Sequence, residues 1–198
     1  MVYYSISYAR NCTIIRLKRE IRQLFIDAFS LMRPEMRFAS VALNDAAFAI
    51  LFSIALVLVL TYIFKEQKLL PFMVASVAIA LLLGASFKAF LQEERPCVET
   101  PGKIPCPLDF ALPSLHALLT FTIAIVAIGN RSFVFYLIYA LFTAFSRVYL
   151  GVHSITEVAA GLALAFLACV LCEMLWRALK IPLPPGIHIK HSAARLQT

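Results

Sequence analysis

The stretch AAFAILFSIALVLVLTYIF, residues 46–64, is almost wholly apolar and contains no charged side chain. Its length is close to the roughly 20 residues that a helix needs to cross a bilayer. Four further apolar runs of similar length follow, at 69–87, 111–129, 132–150 and 155–176. The sequence therefore predicts an all-α protein, a polytopic transmembrane helical bundle with about five to six membrane helices.

The composition agrees with this fold class. Of the 198 residues, 62% are hydrophobic and only 15% are charged, against roughly 45–50% and about 25% in soluble domains. A water-soluble monomer of this size could not bury so much apolar surface. The net charge of +7 must lie at membrane edges and in loops. Such a charge favours anionic lipid headgroups or phosphorylated ligands as partners, and not nucleic acid.

The chain divides into three parts by composition. These are a basic N-terminal segment at 1–45, a transmembrane domain at 46–178 and a polar C-terminal tail at 179–198. Between Ile14 and Leu31, apolar residues such as Leu17, Ile21 and Leu24 recur with helical spacing, and basic side chains take the rest of the circumference. This pattern predicts an amphipathic helix in the membrane interface. The alternative is a helix packed on neighbouring loops.

Ionisable residues gather on one side of the predicted membrane. Two crossings separate the loop at 92–109 from the turn at 147–154, so both lie on the same side. Ionisable groups inside or at the ends of apolar runs cost free energy when they are placed in a membrane, so they are candidates for function. The candidates on this side are Lys88, Arg95, His116, Arg147, His153 and Glu157. Three cations beside a helix start at 113–116, with its free backbone N–H groups, predict a phosphate-binding pocket.

Each candidate also has an ordinary structural explanation. Lys88 and Arg147 could be basic side chains that extend from helix ends to water. Glu157 could complete a capping box with Ser154 at the start of the last run. Their coincidence on one membrane face favours the functional interpretation.

The spacing of these residues resembles a known family. Lys88 followed by Arg95-Pro96, then Pro113-Ser114-Leu115-His116, then Ser146-Arg147 followed by His153 and Glu157, resembles the three signature motifs of the type 2 phosphatidic acid phosphatase superfamily. These proteins are membrane lipid-phosphate phosphatases, and the resemblance covers residues 88–161. It implies that His153 attacks phosphorus, that Glu157 orients the His153 imidazole, and that His116 is the general acid and then the base. The residues it assigns to phosphate binding are Lys88, Arg95, Ser114, Leu115 through its backbone, and Arg147. Three cations meet the electrostatic need, so the resemblance implies no metal and no other cofactor.

Two positions depart from the family pattern. Leu115 stands where the family usually has glycine, and its side chain restricts the approach of its backbone N–H to phosphate. The Pro-Ser-Leu-His form is also similar to relatives that transfer phosphoinositol headgroups, so a lipid phosphotransferase stays open beside the phosphatase. Glu157 stands where the family has aspartate. A noncatalytic lipid-phosphate binder or transporter is the remaining alternative.

The position of the pocket suits a lipid whose phosphate stays at the interface. Candidate substrates are a polyprenyl diphosphate, phosphatidylglycerol phosphate and phosphatidic acid. The small size of the chain resembles prokaryotic members, which implies the plasma or inner membrane. Cys97 and Cys106 bracket the polar loop, and a disulfide between them requires an oxidising compartment. Together with the resemblance, this pair favours an extracytoplasmic site, whereas the distribution of lysine and arginine does not decide the orientation. The oligomeric state stays open.

Overall fold

The computed structural model describes residues 34–99 and 103–184, and within these ranges the chain forms helices and no β-strand. The helices are α1 (Pro34–Ala42), α2 (Ala46–Ile63), α3 (Leu70–Leu91), α4 (Pro96–Glu99), α5 (Leu115–Val126), α6 (Phe133–Tyr149) and α7 (Ile155–Ala178), with a 3₁₀ turn at Gln67–Leu69 before α3. The predicted interfacial helix at 14–31 lies outside the described residues, as does most of the predicted polar tail. The all-α prediction is confirmed.

Among residues 34–99 and 103–184, three helices are long and apolar enough to cross a membrane, namely α2, α7 and α3 with its preceding 3₁₀ turn. The other two apolar runs also form helices, but these are shorter, with 12 residues in α5 and 17 in α6. The prediction for 111–129 was too long at both ends. Ser114 has an extended backbone, with a ψ of 106°, so the helix begins only at Leu115. At the other end, Gly129 has a φ of 84°, which a helix cannot include.

Helix α5 is the centre of the bundle. It packs against α3, α6 and α7, and α3 also packs against α7. Buried residues cover most of its circumference, including Ala117, Leu118, Phe121 and Ala124. A side chain at Gly161 of α7 would place its Cβ 2.9 Å from the backbone oxygen of Ser114. This glycine therefore lets the start of α7 lie directly against the start of α5.

The alternating directions of the helices bring four helix ends together. These are the C-terminal ends of α3 and α6 and the N-terminal ends of α5 and α7, and we call this side of the bundle the motif end. Two helices there were not anticipated. Helix α1 packs on α6, and α4 lies in the stretch that was predicted to be a loop. Both begin with proline, which is tolerated in the first turn of a helix.

Candidate active site

The structure brings the predicted site residues together at the motif end. Lys88 is in the last turn of α3, Ser114 caps α5, and Arg147 is in the last turn of α6. The buried members of the set are Lys88, Arg95, Ser114, Arg147, His153 and Glu157, whereas Leu115 and His116 are partly exposed. His116 lies within electrostatic range of Arg147, His153, Arg95 and Lys88. A buried cluster with three cations and two imidazoles in a membrane protein is a candidate for catalysis.

The hydrogen bonds of His153 determine which of its nitrogens carries the proton. Its Nδ1 lies 2.7 Å from Glu157 Oε2, and its Nε2 lies 3.0 Å from Arg95 Nη1. A guanidinium only donates and a carboxylate only accepts. Nδ1 therefore donates its hydrogen to Glu157, and Nε2 is unprotonated, with its lone pair accepting from Arg95 and becoming available for nucleophilic attack once that bond is released. Burial lowers the pKa of His153 to about 4, against the opposing bond from Glu157, so the imidazole is neutral at pH 7.

Glu157 uses both carboxylate oxygens. Oε2 accepts from His153, and Oε1 accepts from the hydroxyl of Ser154 at 2.6 Å. The same hydroxyl oxygen accepts from the backbone N–H of Glu157 at 3.3 Å, so Ser154 is the N-cap that the sequence predicted. The carboxylate contacts the Ser154 hydroxyl, where a complete capping box would use the Ser154 backbone N–H. Glu157 therefore orients the imidazole with one oxygen and holds the capping hydroxyl of Ser154 with the other.

Arg147 and Ser114 provide donors that other protein groups do not use. Arg147 is 1% exposed, and its Nη1 donates to Asn44 Oδ1 at 3.2 Å. Its Nε and Nη2, and the hydroxyl of Ser114, have no hydrogen-bond partner within the described part of the chain. Burying unpaired donors on a charged group is costly. These groups are therefore suited to bind an anion in the pocket.

The other two cations are occupied by a residue that the sequence analysis missed. Lys88 Nζ and Arg95 Nη2 both donate to the carboxylate of Asp109. Arg95 Nε also donates to the backbone oxygen of Asp109 at 2.8 Å, and Lys88 Nζ to that of Phe110 at 2.6 Å. Burial alone would raise the pKa of Asp109, but the hydrogen bond from Lys88 and the charge of Arg95 hold it below its usual value. In the sequence, Asp109 is visible only as a carboxylate five residues before Ser114. That position does not indicate which side chains it contacts.

Asn44 was also missed as a site residue. It lies just before α2, in the segment that composition assigned to the basic N-terminal part, and it bonds Arg147 across 103 positions of sequence. Asn44 accepts from Nη1 of Arg147, whereas Nε and Nη2 have no partner among the described residues.

Leu115 is directed at α3. A Cβ at Gly84 of α3 would lie 2.6 Å from Leu115 Cδ2 and 2.5 Å from Leu118 Cδ2. The leucine side chain therefore fills the space that the missing side chain of Gly84 leaves.

A disulfide holds the loop that contains Arg95. The sulfur atoms of Cys97 and Cys106 are 1.97 Å apart, and Cys97 packs against Leu150 and Val152. The backbone N–H of Lys103 donates to the oxygen of Leu150 at 3.0 Å. The loop is thus fastened to the turn between Arg147 and His153, and this contact places Arg95 beside the imidazole.

Three comparisons relate this chain to known proteins. Residues 69–180 match the family model described as the PAP2 superfamily. The chain is 28% identical over 131 residues to the putative undecaprenyl-diphosphatase YbjG of Escherichia coli (strain K12), a match that spans 64% of this chain and 66% of that protein. Its fold is similar to the crystal structure of a transmembrane PAP2 type phosphatidylglycerolphosphate phosphatase from Bacillus subtilis, with a TM-score of 0.60 and 19% identity over 84% of this chain and 88% of that one. It is also similar to Aquifex aeolicus LpxE, with a TM-score of 0.59 and 22% identity over 77% and 93%.

Proposed function

Because the chain belongs to the PAP2 superfamily, we propose that it is an integral-membrane phosphatase that hydrolyses a lipid phosphate or diphosphate through a phosphohistidine, without a metal ion. The observation that carries this proposal is the state of His153. Its Nε2 is a neutral, unprotonated nitrogen, fixed by Glu157 on the other side of the ring. It belongs to the same cluster as Arg147 and Ser114, whose donors are unpaired within the described residues.

The reaction takes two displacements. In the first, His153 Nε2 forms a bond to phosphorus while the bond to the leaving oxygen breaks, and His116 gives that oxygen a proton. In the second, His116 takes a proton from water, the water oxygen attacks phosphorus, and the N–P bond breaks to release phosphate. The Nδ1–H bond to Glu157 stabilises the positive charge that the ring carries in the intermediate. Arg147, Ser114, Lys88 and Arg95 bind the non-bridging oxygens, where charge spreads in the transition state.

The substrate class follows from the position of the pocket and from the relatives. The site lies at one end of a bundle of apolar helices, so a lipid can bring its phosphate to the cations while its tails remain in hydrocarbon. Phosphatidylglycerol phosphate and phosphatidic acid are candidates, and the name of the Escherichia coli relative favours a polyprenyl diphosphate. We place the protein in the plasma or inner membrane.

The extracytoplasmic side for the pocket is supported by the disulfide, because such bonds persist in oxidising compartments. Labelling intact cells with a membrane-impermeant maleimide tests this orientation. Cys97 and Cys106 should become reactive only after treatment with a reductant that does not enter the cell. If labelling occurred only in permeabilised cells, the pocket would lie on the cytoplasmic side instead.

The first experiment measures phosphate release from these three lipids by purified protein in detergent with EDTA, comparing wild type with His153→Ala. We expect release in EDTA to persist in wild type and to fall by at least about 10³-fold in the variant. His188→Ala, in the predicted polar tail, is the matched control and should behave as wild type. Equal release from the His153 variant would exclude the histidine mechanism.

The alternatives give different outcomes in the same assay. A phosphotransferase, which the Pro-Ser-Leu-His motif motivates, would give a new lipid or phosphoester when an alcohol acceptor is added. A noncatalytic binder would release nothing, and its His153→Ala variant would still bind the lipid. A base-stable, acid-labile phosphate on the protein should appear in wild type and accumulate in His116→Ala, because that variant lacks the base for the second step.

A further inference from the structure

Arg95 and Lys88 have few donors left for a substrate. A guanidinium has five N–H donors and an ammonium has three. Arg95 uses Nε and Nη2 on Asp109, and Nη1 on the backbone oxygen of Val152 and on His153 Nε2. Lys88 uses two donors, on Asp109 and Phe110. Four of five donors on Arg95 and two of three on Lys88 are therefore taken by other described residues.

Arg147 is in the opposite situation. Its single bond within the described residues is to Asn44, and its Nε and Nη2 are unpaired there. The pocket thus contains two kinds of cation. Arg147 has donors that are open to an anion, whereas Lys88 and Arg95 already bind the carboxylate of Asp109. Lys88 and Arg95 have one donor left each, so a phosphate that takes more than one hydrogen bond from either cation must displace the Asp109 carboxylate.

Asp109 is the member of this cluster that can leave. Its side chain is 54% exposed, against 10% for Lys88 and 6% for Arg95, so the carboxylate lies at the surface and the cations lie below it. Its backbone oxygen is held separately by Arg95 Nε, and two residues further on the backbone N–H of Ala111 donates to the backbone oxygen of Glu93 at 2.8 Å. Rotation of the Asp109 side chain into water can therefore release both cations without moving the loop.

We propose that Asp109 is a positioning residue that competes with phosphate: its carboxylate holds Lys88 and Arg95 in the absence of substrate and yields them to the phosphate of the lipid. This inference rests on the proposed function, because it assumes that the pocket binds phosphate. The carboxylate keeps the two buried cations in place and neutralises part of their charge. It also returns to them as inorganic phosphate leaves, so it weakens the binding of the product.

The test uses Asp109→Asn, which keeps the shape of the side chain and removes its charge. We expect inorganic phosphate to inhibit this variant at a concentration about tenfold lower than it inhibits wild type, because hydrogen bonds between charged groups are the strong ones in such sites. KM should fall with it, and kcat should fall as product release slows. Glu94→Gln removes the same charge from an exposed position in the same loop and should leave the inhibition constant within about twofold.

A purely structural role predicts the opposite result. If Asp109 only keeps Lys88 and Arg95 in place, the Asn variant would bind phosphate more weakly, and an unchanged or higher inhibition constant overturns the proposal. Asp109→Glu restores the charge and should return the inhibition constant toward wild type. If the Asn variant does not fold, Asp109→Ala provides the same comparison.

A second measurement separates this inference from the proposed function. The thermal midpoint of the purified protein is followed as inorganic phosphate is added, which requires no turnover. A larger shift for the Asn variant at equal phosphate supports competition even if wild type hydrolyses none of the lipids, and an equal or smaller shift overturns it. If wild type hydrolysed none of the lipids, that result would count against the proposed function and not against the competition between Asp109 and phosphate.

Discussion

The two ends of the bundle both contain buried charge, and they satisfy it differently. At the end opposite the motif end, Glu173 is bonded by Arg177 Nε one helical turn away, at 3.0 Å. Glu66 accepts from the backbone N–H of Arg131 at 2.9 Å and from the hydroxyl of Ser132. The first contact lies within α7, and the second joins the turn before α3 to the start of α6. Both carboxylates therefore have partners.

At the motif end the charges are partnered only in part. Two donor atoms of Arg147 and the Ser114 hydroxyl are buried without a partner among the described residues. Trp176 Nε1, on α7 near the opposite end, is likewise unpaired, but it is a single neutral donor. Charge at the opposite end is thus satisfied by its neighbours, whereas the motif end keeps unpaired donors, which we propose are used by a ligand. The following predictions test this distinction with paired substitutions at the two ends.

The largest difference is expected between two buried glutamates of α7. Glu157→Gln would present an amide N–H₂ to His153 Nδ1, which favours the tautomer with its proton on Nε2, and the nucleophilic lone pair is then lost. We expect kcat to fall by about 10³-fold or more, as when the carboxylate beside a catalytic histidine is replaced by an amide. Glu173→Gln, at the opposite end, should keep kcat within about threefold.

Phosphate release by the two purified variants, at saturating lipid and with matched thermal midpoints, measures this difference. Equal losses of kcat in both variants would mean that Glu157 acts through the stability of α7 and not through the imidazole.

The second largest effect is expected at the two arginines. Arg147→Lys replaces the planar fork with a single ammonium group and loses the two donors, Nε and Nη2, that are unpaired among the described residues. Removing one preorganised donor to a transition-state oxygen costs about 10²–10³-fold in rate, and we expect kcat/KM to fall by that amount. Arg177→Lys, which alters the exposed partner of the ion pair with Glu173, should change kcat/KM by less than about threefold. A loss of similar size in both variants would contradict the distinction between the two ends.

The acid limb of the pH profile gives a smaller effect, which we derive from the protonation of His153. Protonation of Nε2 removes the lone pair, so activity falls as the pH drops through the pKa of the free enzyme. Because burial lowers the pKa of His153 to about 4, kcat/KM should be nearly equal at pH 7 and pH 5.5. An unshifted pKa of about 6.5 would instead cost about tenfold at pH 5.5. An acid limb with its midpoint above pH 6 would show that the imidazole is not held as the structure indicates.

The sequence predicted the helices well where length and charge define them. The run at 46–64 forms α2 (Ala46–Ile63), and the charged, polar turn that follows the run marks the end of the helix. The run at 111–129 was overestimated because Ala111 and Leu112 are as apolar in a loop as in a helix. Hydropathy measures the solvent that a residue prefers and says little about where the backbone leaves the helix.

The site was predictable to the extent that its residues belong to motifs. His153 and Glu157 are four residues apart on one helix start, and their contact follows from that spacing. Asn44 and Asp109 reach Arg147 and Lys88 only through the packing of distant segments. Such contacts depend on how α1, α2 and the disulfide loop dock on the bundle, and no local pattern reports that arrangement.

The smallest effect on activity is expected at Leu115, the departure from the family pattern. Leu115→Gly should lower the thermal stability, because it empties the space against Gly84 and places glycine in the first turn of α5. We expect a loss of about 2–4 kcal/mol in unfolding free energy, measured by the thermal midpoint of the purified protein.

The catalytic outcome of Leu115→Gly should hardly change. Since the leucine side chain packs on α3, kcat/KM should stay within about threefold, and the partition between water and an added alcohol acceptor should equal that of wild type. Leu118→Ala is the matched control for packing alone. It removes the contact that Leu118, one turn further along α5, makes beside Gly84. If Leu115→Gly shifts the partition and Leu118→Ala does not, then Leu115 governs access of the acceptor, and the difference between hydrolase and transferase lies at this position.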